Sequence, residues 1–248
     1  MVHNHIFTSS TNPAMKRRFF VKTLPAATLL AASAPGKAIP FSPPQELGPI
    51  DLLPPEKEGG ASVLAALQAR KTERLISAKE LPAQVLSNLL WAAFGVNRTE
   101  LTANKPGRTA PSASNSQEID LYVCLNSGLY IYDAVPHRLL PIAAGNYRRY
   151  ASKGRATMAP VNIFYVVDLD KYDQGPEQPD ASIGDPEVQK SYYYTDTGCI
   201  AQNVYLFAAA HGLAAWFHNC ERDQCAEAFK LAPQQKILFA QSVGYPEF

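Results

Sequence analysis

Five consecutive residues, Arg70-Lys71-Thr72-Glu73-Arg74, hold three cations and a hydroxyl. Guanidinium groups make forked, charge-assisted bonds to phosphate oxygens, and a threonine adds a neutral donor. A basic run after a helix end also complements the helix dipole, so the cluster alone admits both readings. Further along, Pro111-Ser112-Ala113-Ser114-Asn115-Ser116-Gln117 is a small, polar loop that leads into a strand. Small residues let backbone amides approach a planar ligand. Serine, asparagine and glutamine offer donors and acceptors that suit the N–H and C=O edge of a heterocycle. A solvated loop would have the same composition.

Other reactive side chains are sparser. Arg148, Arg149, Lys153 and Arg155 form a basic stretch that reads either as a solvated face or as a source of one site cation. Cys220 and Cys225 flank four polar residues and would pair in an oxidising compartment. A metal would need two more ligands there, with His218 the only near one, so no metal is expected. Cys124 and Cys199 read as small buried hydrophobes. His211, at a helix end, reads as a dipole-compensating residue. No Ser–His–Asp order or carboxylate pair marks a catalytic side chain, and none is assigned.

The elements that must position these residues follow from periodicity and punctuation. Ser62 can cap a helix reaching Lys71, with Val63, Leu64 and Leu67 on one face. A second helix starts near Pro82; Val85, Leu86, Leu89, Leu90, Ala93 and Phe94 recur at three and four, and Gly95 stops it. Residues 97–113 read as loop. Strands are expected over 118–125, 129–132 and 139–142, and residues 146–155 as helix. Val161–Val167 is a nearly continuous apolar run suited to a central strand. Residues 168–186 read as a surface loop, followed by a long helix capped by Thr195 or Asp196 and ended by Gly212. A strand over 214–217, a helix over 221–231 and a strand over 236–243 complete the chain. This mixture, without strict alternation, predicts an α+β fold of three layers around one mainly antiparallel sheet.

In that order, the R-x-T-x-R cluster, the apolar helix and the P-S-x-x-N-x-Q loop resemble the nitroreductase-like flavoproteins. Ala159-Pro160, Asp196-Thr197-Gly198 with Gln202-Asn203, His211-Gly212-Leu213 and Val243-Gly244-Tyr245-Pro246 agree, so the resemblance covers about residues 62–246. Gly128-Leu129-Tyr130-x-Tyr132-Asp133 is most similar to the subgroup that includes azoline-forming peptide oxidases. The resemblance implies FMN held at the interface of an obligate homodimer. It puts Arg70, Lys71, Thr72 and Arg74 at the phosphate and ribityl chain. It puts Pro111, Ser112, Ala113, Asn115 and Gln117 at the partner's isoalloxazine ring, and Leu213 and Ala214 at the backbone near flavin N5. It also implies a cation near N1, here Lys153 or Arg155, where a fixed positive charge stabilises reduced flavin. Relatives often add a basic residue after the Gly-x-Pro segment. Glu247 and Phe248 stand there in this sequence, so the phosphate is expected to lean on Arg70 and Arg74, with help from Arg108.

The implied activity is FMN-dependent hydride transfer on a small-molecule or peptide substrate. An azoline-type peptide oxidase is one alternative; its relatives use a Lys-Tyr pair, and Lys190-Ser191-Tyr192-Tyr193-Tyr194 is similar without matching. A flavin-binding carrier without turnover is the other.

Residues 15–38 add a destination. Arg17-Arg18-Phe19-Phe20-Val21-Lys22 precedes an apolar run from Leu24 to Ala34 that ends in small residues. This resembles a twin-arginine signal, which the twin-arginine export machinery reads on folded cofactor proteins, and it implies a periplasmic or secreted protein. The run is shorter than the roughly 20 apolar residues of a membrane span. Met15 is the expected start, and Ala38 the expected last residue before cleavage. Residues 1–38 carry five cations and no acid, so their removal takes the formal charge from +1 to −4. Residues 39–61 read as a proline-rich extended arm and 62–248 as the binding domain. A composition of 46% hydrophobic and 18% charged residues excludes disorder, and the near-neutral charge gives no argument for nucleic acid.

Overall fold

The period-2 and period-3.6 patterns become a seven-stranded sheet, a two-stranded hairpin and four α-helices in a computed structural model that describes residues 47–102, 105–151, 158–173 and 181–248. These residues fall within a single unit that runs from Pro44 to Phe248. The strands are β1 (Ile50–Asp51), β2 (Val96–Thr102), β3 (Lys105–Arg108), β4 (Ile119–Cys124), β5 (Gly128–Asp133), β6 (Arg138–Ala144), β7 (Val161–Asp168), β8 (Ala214–His218) and β9 (Gln235–Gly244). The helices are α1 (Val63–Ala69), α2 (Ala83–Phe94), α3 (Pro186–Ala210) and α4 (Arg222–Phe229). Seven strands pair antiparallel in the order β1-β6-β5-β4-β7-β9-β8, and β2 and β3 form a separate hairpin.

Alternation along the central strands builds the three layers. Leu121 and Val123 of β4, and Ile163, Tyr165 and Val167 of β7, face the larger core with α2 and α3. Their neighbours Tyr122, Cys124, Phe164 and Val166 face the other way, against Cys225 and Phe229 of α4. Successive strand side chains point to opposite faces, so one apolar run serves both layers. Phe229 centres the second layer: its ring lies 4.9 Å from Phe164 edge-on and 6.0 Å from Tyr122 in a stack.

Several expectations hold and others move. Ser62 caps α1 by accepting from the Ala65 N–H at 3.2 Å. The face of Val63, Leu64 and Leu67 points to solvent rather than to the core, and Ala66 is the buried residue. α2 runs to Phe94 with Gly95 as its cap, as its spacing predicts. Residues 97–113, read as loop, contain the β2–β3 hairpin instead. α3 begins ten residues before the expected cap: Asp185 accepts from the Glu187 N–H and Pro186 opens the helix. Asp196 is therefore not a cap; it is buried in mid-helix. Among the described part of 146–155, only a 3-10 turn over Arg148–Tyr150 forms.

The described end of the arm wraps its own sheet. Ile50 pairs with Leu139, the Leu52 N–H donates to the His137 carbonyl at 3.2 Å, and Ser87 Oγ donates to the Leu53 carbonyl. The four cysteines are free thiols, and Cys220 and Cys225 pack in the α4 layer, where the Cys225 thiol donates to the Tyr150 carbonyl. No described helix is long and apolar enough to cross a membrane, and no metal-ligand cluster occurs among the described residues. The expected leader lies outside the described residues.

Candidate cofactor site

The cationic segment is a strap laid along the open edge of the sheet. β8 is an edge strand, and the Glu73 N–H donates to its Ala215 carbonyl at 3.0 Å. Just beyond, the strap meets the C-terminal tail: the Ser77 N–H donates to the Tyr245 carbonyl, the Glu247 N–H donates to the Leu75 carbonyl, and Ile76 bridges Pro246. The close passage explains Gly244, because a Cβ there would lie 2.6 Å from Pro160 and 2.7 Å from Ile76.

Within the strap the functional side chains settle on aromatic residues. The Arg70 guanidinium lies 5.5 Å over the Tyr205 ring, and that of Arg74 lies 5.6 Å over Trp216. Thr72 Oγ1 and Tyr205 Oη are 3.0 Å apart, and Tyr205 Oη accepts the Phe217 N–H at 2.8 Å. When Tyr205 donates to Thr72, the Thr72 proton is left for a ligand. Lys71 pairs with Glu73 at 3.1 Å, and this bond holds the Glu73 carboxyl below its usual range. Tyr205 and Trp216 were not singled out by sequence reasoning, since aromatics on an apolar helix and strand read as core.

Beside the strap lies a cavity of about 260 Å³ lined by Lys71, Glu73, Tyr205 and the run Gly212-Leu213-Ala214-Ala215. Gly212 takes φ +66, a left-handed turn that ends α3 and swings the small residues into β8. Lys71, Leu213 and Ala214 line the cavity itself, whereas Arg70, Thr72 and Arg74 do not; Arg70 and Thr72 meet its wall only through Tyr205, and Arg74 sits on Trp216.

The second sequence motif is elsewhere in the chain. Residues 111–117 form a loop with one 3-10 turn over Ala113–Asn115, and Ser114, Asn115 and Gln117 each take φ near +51. The loop docks on α3 at Asp196, where the Ala113 N–H donates to Oδ2 at 2.9 Å. Asp196 and Tyr205 are nine residues apart on one helix, about 14 Å along its axis. Within one chain, Pro111, Ser112, Ala113, Asn115 and Gln117 therefore do not line the strap cavity. Arg108 does not join the phosphate cluster either: its Nε donates to Gln117 Oε1 at 2.7 Å and its Nη1 to the Phe94 carbonyl at 3.1 Å. Lys190 pairs with Glu187 near the start of α3, far from the strap. Lys153 and Arg155 lie outside the described residues.

A sheet edge covered by a cationic strap, beside a cavity of small residues, is the candidate site of this α+β domain. The chain belongs to the nitroreductase family: the model of that family matches residues 67–245. Members of the family are oxidoreductases that typically bind flavin. Among solved structures, a candidate nitroreductase from Ralstonia eutropha JMP134 is 32% identical, with a TM-score of 0.70 over 81% of this chain and 90% of that one. The McbBCD microcin synthetase complex of Escherichia coli shares the fold at 18% identity and a TM-score of 0.56, over 78% of this chain and 77% of that one. The NADPH:FMN oxidoreductase of Vibrio harveyi does so at 16% identity and 0.53, over 75% and 69%. No curated sequence relative matches the chain.

Proposed function

We propose that the protein is an exported FMN-dependent oxidoreductase that works as a homodimer. The observation that carries this reading is the strap, with two guanidinium groups and a hydroxyl beside small-residue backbone. These groups fit an FMN tail: Arg70 and Arg74 would hold the phosphate, Thr72 the ribityl hydroxyls, and Leu213 and Ala214 the ring edge. When bound, FMN supplies hydride exchange at N5. The chain's own work is to neutralise the phosphate charge, orient the ring and keep water from one side of it.

The dimer completes the site. The strap cavity is below the roughly 300–1,000 Å³ of common ligand pockets. The 111–117 loop, about 14 Å away along α3, would serve the ring held by a second copy. The exposed face of Val63, Leu64 and Leu67 on α1 supplies apolar surface for that copy to cover.

Export follows from Arg17-Arg18 and the apolar run after it. An exported enzyme is cut off from cytoplasmic NAD(P)H, because a multiply charged dinucleotide does not cross a bilayer unaided. A hydride donor must stack in near-attack contact, so recognition has to be built into the slot. The FMN-loaded protein is expected to be reduced poorly by NADH and NADPH, with a quinol, a redox partner protein or the substrate itself as donor. Stopped-flow absorbance checks this. Bleaching at tens per second, an ordinary enzyme rate, with micromolar NAD(P)H would overturn the export reading and leave FMN binding standing.

A further inference from the structure

The 111–117 loop holds three non-glycine residues in the left-handed region within four positions, a conformation that side chains disfavour. Something must hold it there, and two acids do. Glu118 is fully buried and its Oε2 accepts from Ser112 Oγ at 3.1 Å and from Ser116 Oγ at 2.7 Å. Asp196, 6% exposed, accepts the Ala113 N–H. Thus the Ser112, Ala113 and Ser116 anchors include bonds to two carboxyls, beside the bonds that Lys105 and Arg108 make to the loop.

These carboxyls grip the same short segment, Asp196 at the Ala113 N–H and Glu118 at the hydroxyls of Ser112 and Ser116, which brings the two acids to one place. No donor of the described residues reaches the second oxygen of Glu118, which is buried. Two facing buried carboxylates repel, and a buried acceptor without a donor is strongly disfavoured. One proton resolves both problems, since it is the missing donor and removes one of the two charges.

We propose that Glu118 and Asp196 share a single proton, and that this protonated pair is the positioning element that keeps the 111–117 loop in its left-handed conformation. Neither acid is a catalytic residue; both act through the loop. The consequence for flavin binding rests on the proposed FMN reading, in which the loop serves the partner's ring.

The electrostatics agree. Asp196 is pushed up to about 7, first by burial and then by the Glu118 charge, against the Ala113 N–H. The other groups facing the pair are the Tyr172 hydroxyl, Cys199 on α3, and Lys105 of β3, whose Nζ donates to the Ser116 carbonyl. Arg108 reaches the loop through Gln117, while Lys171 is occupied by Asp120 at 2.5 Å. A carboxyl whose proton is held more tightly in the closed state stabilises that state at low pH. The stabilisation falls as pH rises from the ordinary carboxylate range, near 4, through about 7, and then levels off.

The test is amide hydrogen exchange at Ala113 in the full chain, without added flavin, expressed as protection from pH 5 to 8.5. The proposal predicts a fall of about tenfold per pH unit up to about 7, then a plateau. Asp196→Asn should abolish the slope, because its amide donates to Glu118 at every pH and still accepts from Ala113. Glu118→Gln should do the same. Flat protection in the unmodified protein would overturn the proposal, as would an unchanged slope in either amide variant. Failure of both amides to fold would also contradict it, because a neutral isostere replaces a group argued to be neutral. FMN titration across the same range separates the two readings. A loop that responds to pH while FMN affinity does not would reject the loop–flavin contact and leave the shared proton in place.

Discussion

Replacing Arg70 with alanine is expected to weaken FMN binding by roughly ten- to hundredfold, the loss of a charge-assisted bond worth about 1.5–3 kcal/mol. The guanidinium is half-buried over Tyr205, so it is held in place before a ligand arrives, and little is lost in ordering it. Arg74→Ala should act alike through its seat on Trp216. Lys71 makes the useful contrast. Its ammonium is exposed and already paired with Glu73, so Lys71→Ala should change affinity by no more than about 1 kcal/mol. Isothermal titration with FMN checks all three. Equal losses at positions 70, 71 and 74 would indicate a diffuse positive field rather than a built phosphate seat.

The largest effect on stability is expected at Phe229. The side chain is 2% exposed, and besides Phe164 and Tyr122 its ring meets Tyr147 at 6.1 Å and Tyr150 at 6.2 Å, both edge-on. Truncating a buried phenylalanine costs about 3–5 kcal/mol through lost transfer energy and the cavity left behind. In a domain of this size each kcal/mol moves the melting temperature by about 2–4 °C, so Phe229→Ala should melt roughly 6–20 °C lower. Val135, exposed in the turn between β5 and β6, supplies the control: Val135→Ala should stay within about 0.5 kcal/mol. Phe229 does not line the strap cavity, and FMN affinity measured below the melting transition should be unchanged. A small shift at Phe229 would mean that the α4 layer is not a packed core.

What the sequence made visible follows from burial. α2 and β7 are packed against both neighbours and core, so their apolar spacing carries the element directly. The β2–β3 hairpin was missed because both strands lie away from the main sheet and most of β2 is solvent-exposed, which leaves Arg98, Thr99 and Glu100 without an alternating apolar set. The start of α3 was missed because three consecutive tyrosines, Tyr192 to Tyr194, blur the period, although Asp185-Pro186 is a sound cap-and-first-turn signal. Val63, Leu64 and Leu67 carried helical spacing with no core behind it.

The site was visible in its charges and not in its supports. Arg70, Thr72 and Arg74 stand out by type and spacing, since alternate residues of an extended strap share one side. Tyr205 and Trp216, which seat the two arginines, come from elements more than a hundred residues downstream. Their apolar surroundings gave them the look of ordinary core. The partnership of Glu118 and Asp196 was hidden likewise, because a loop residue before β4 and a residue on the distant α3 share no local spacing.

On the proposed reading, one chain's strap and a second copy's loop together hold FMN. Sedimentation of the purified protein, followed at the flavin absorbance band and at 280 nm, tests it most directly. A dimer that carries one FMN per chain is expected, with flavin lost as the dimer dissociates on dilution. A monomer fully loaded with FMN, or a dimer that takes up no FMN on titration, would contradict it.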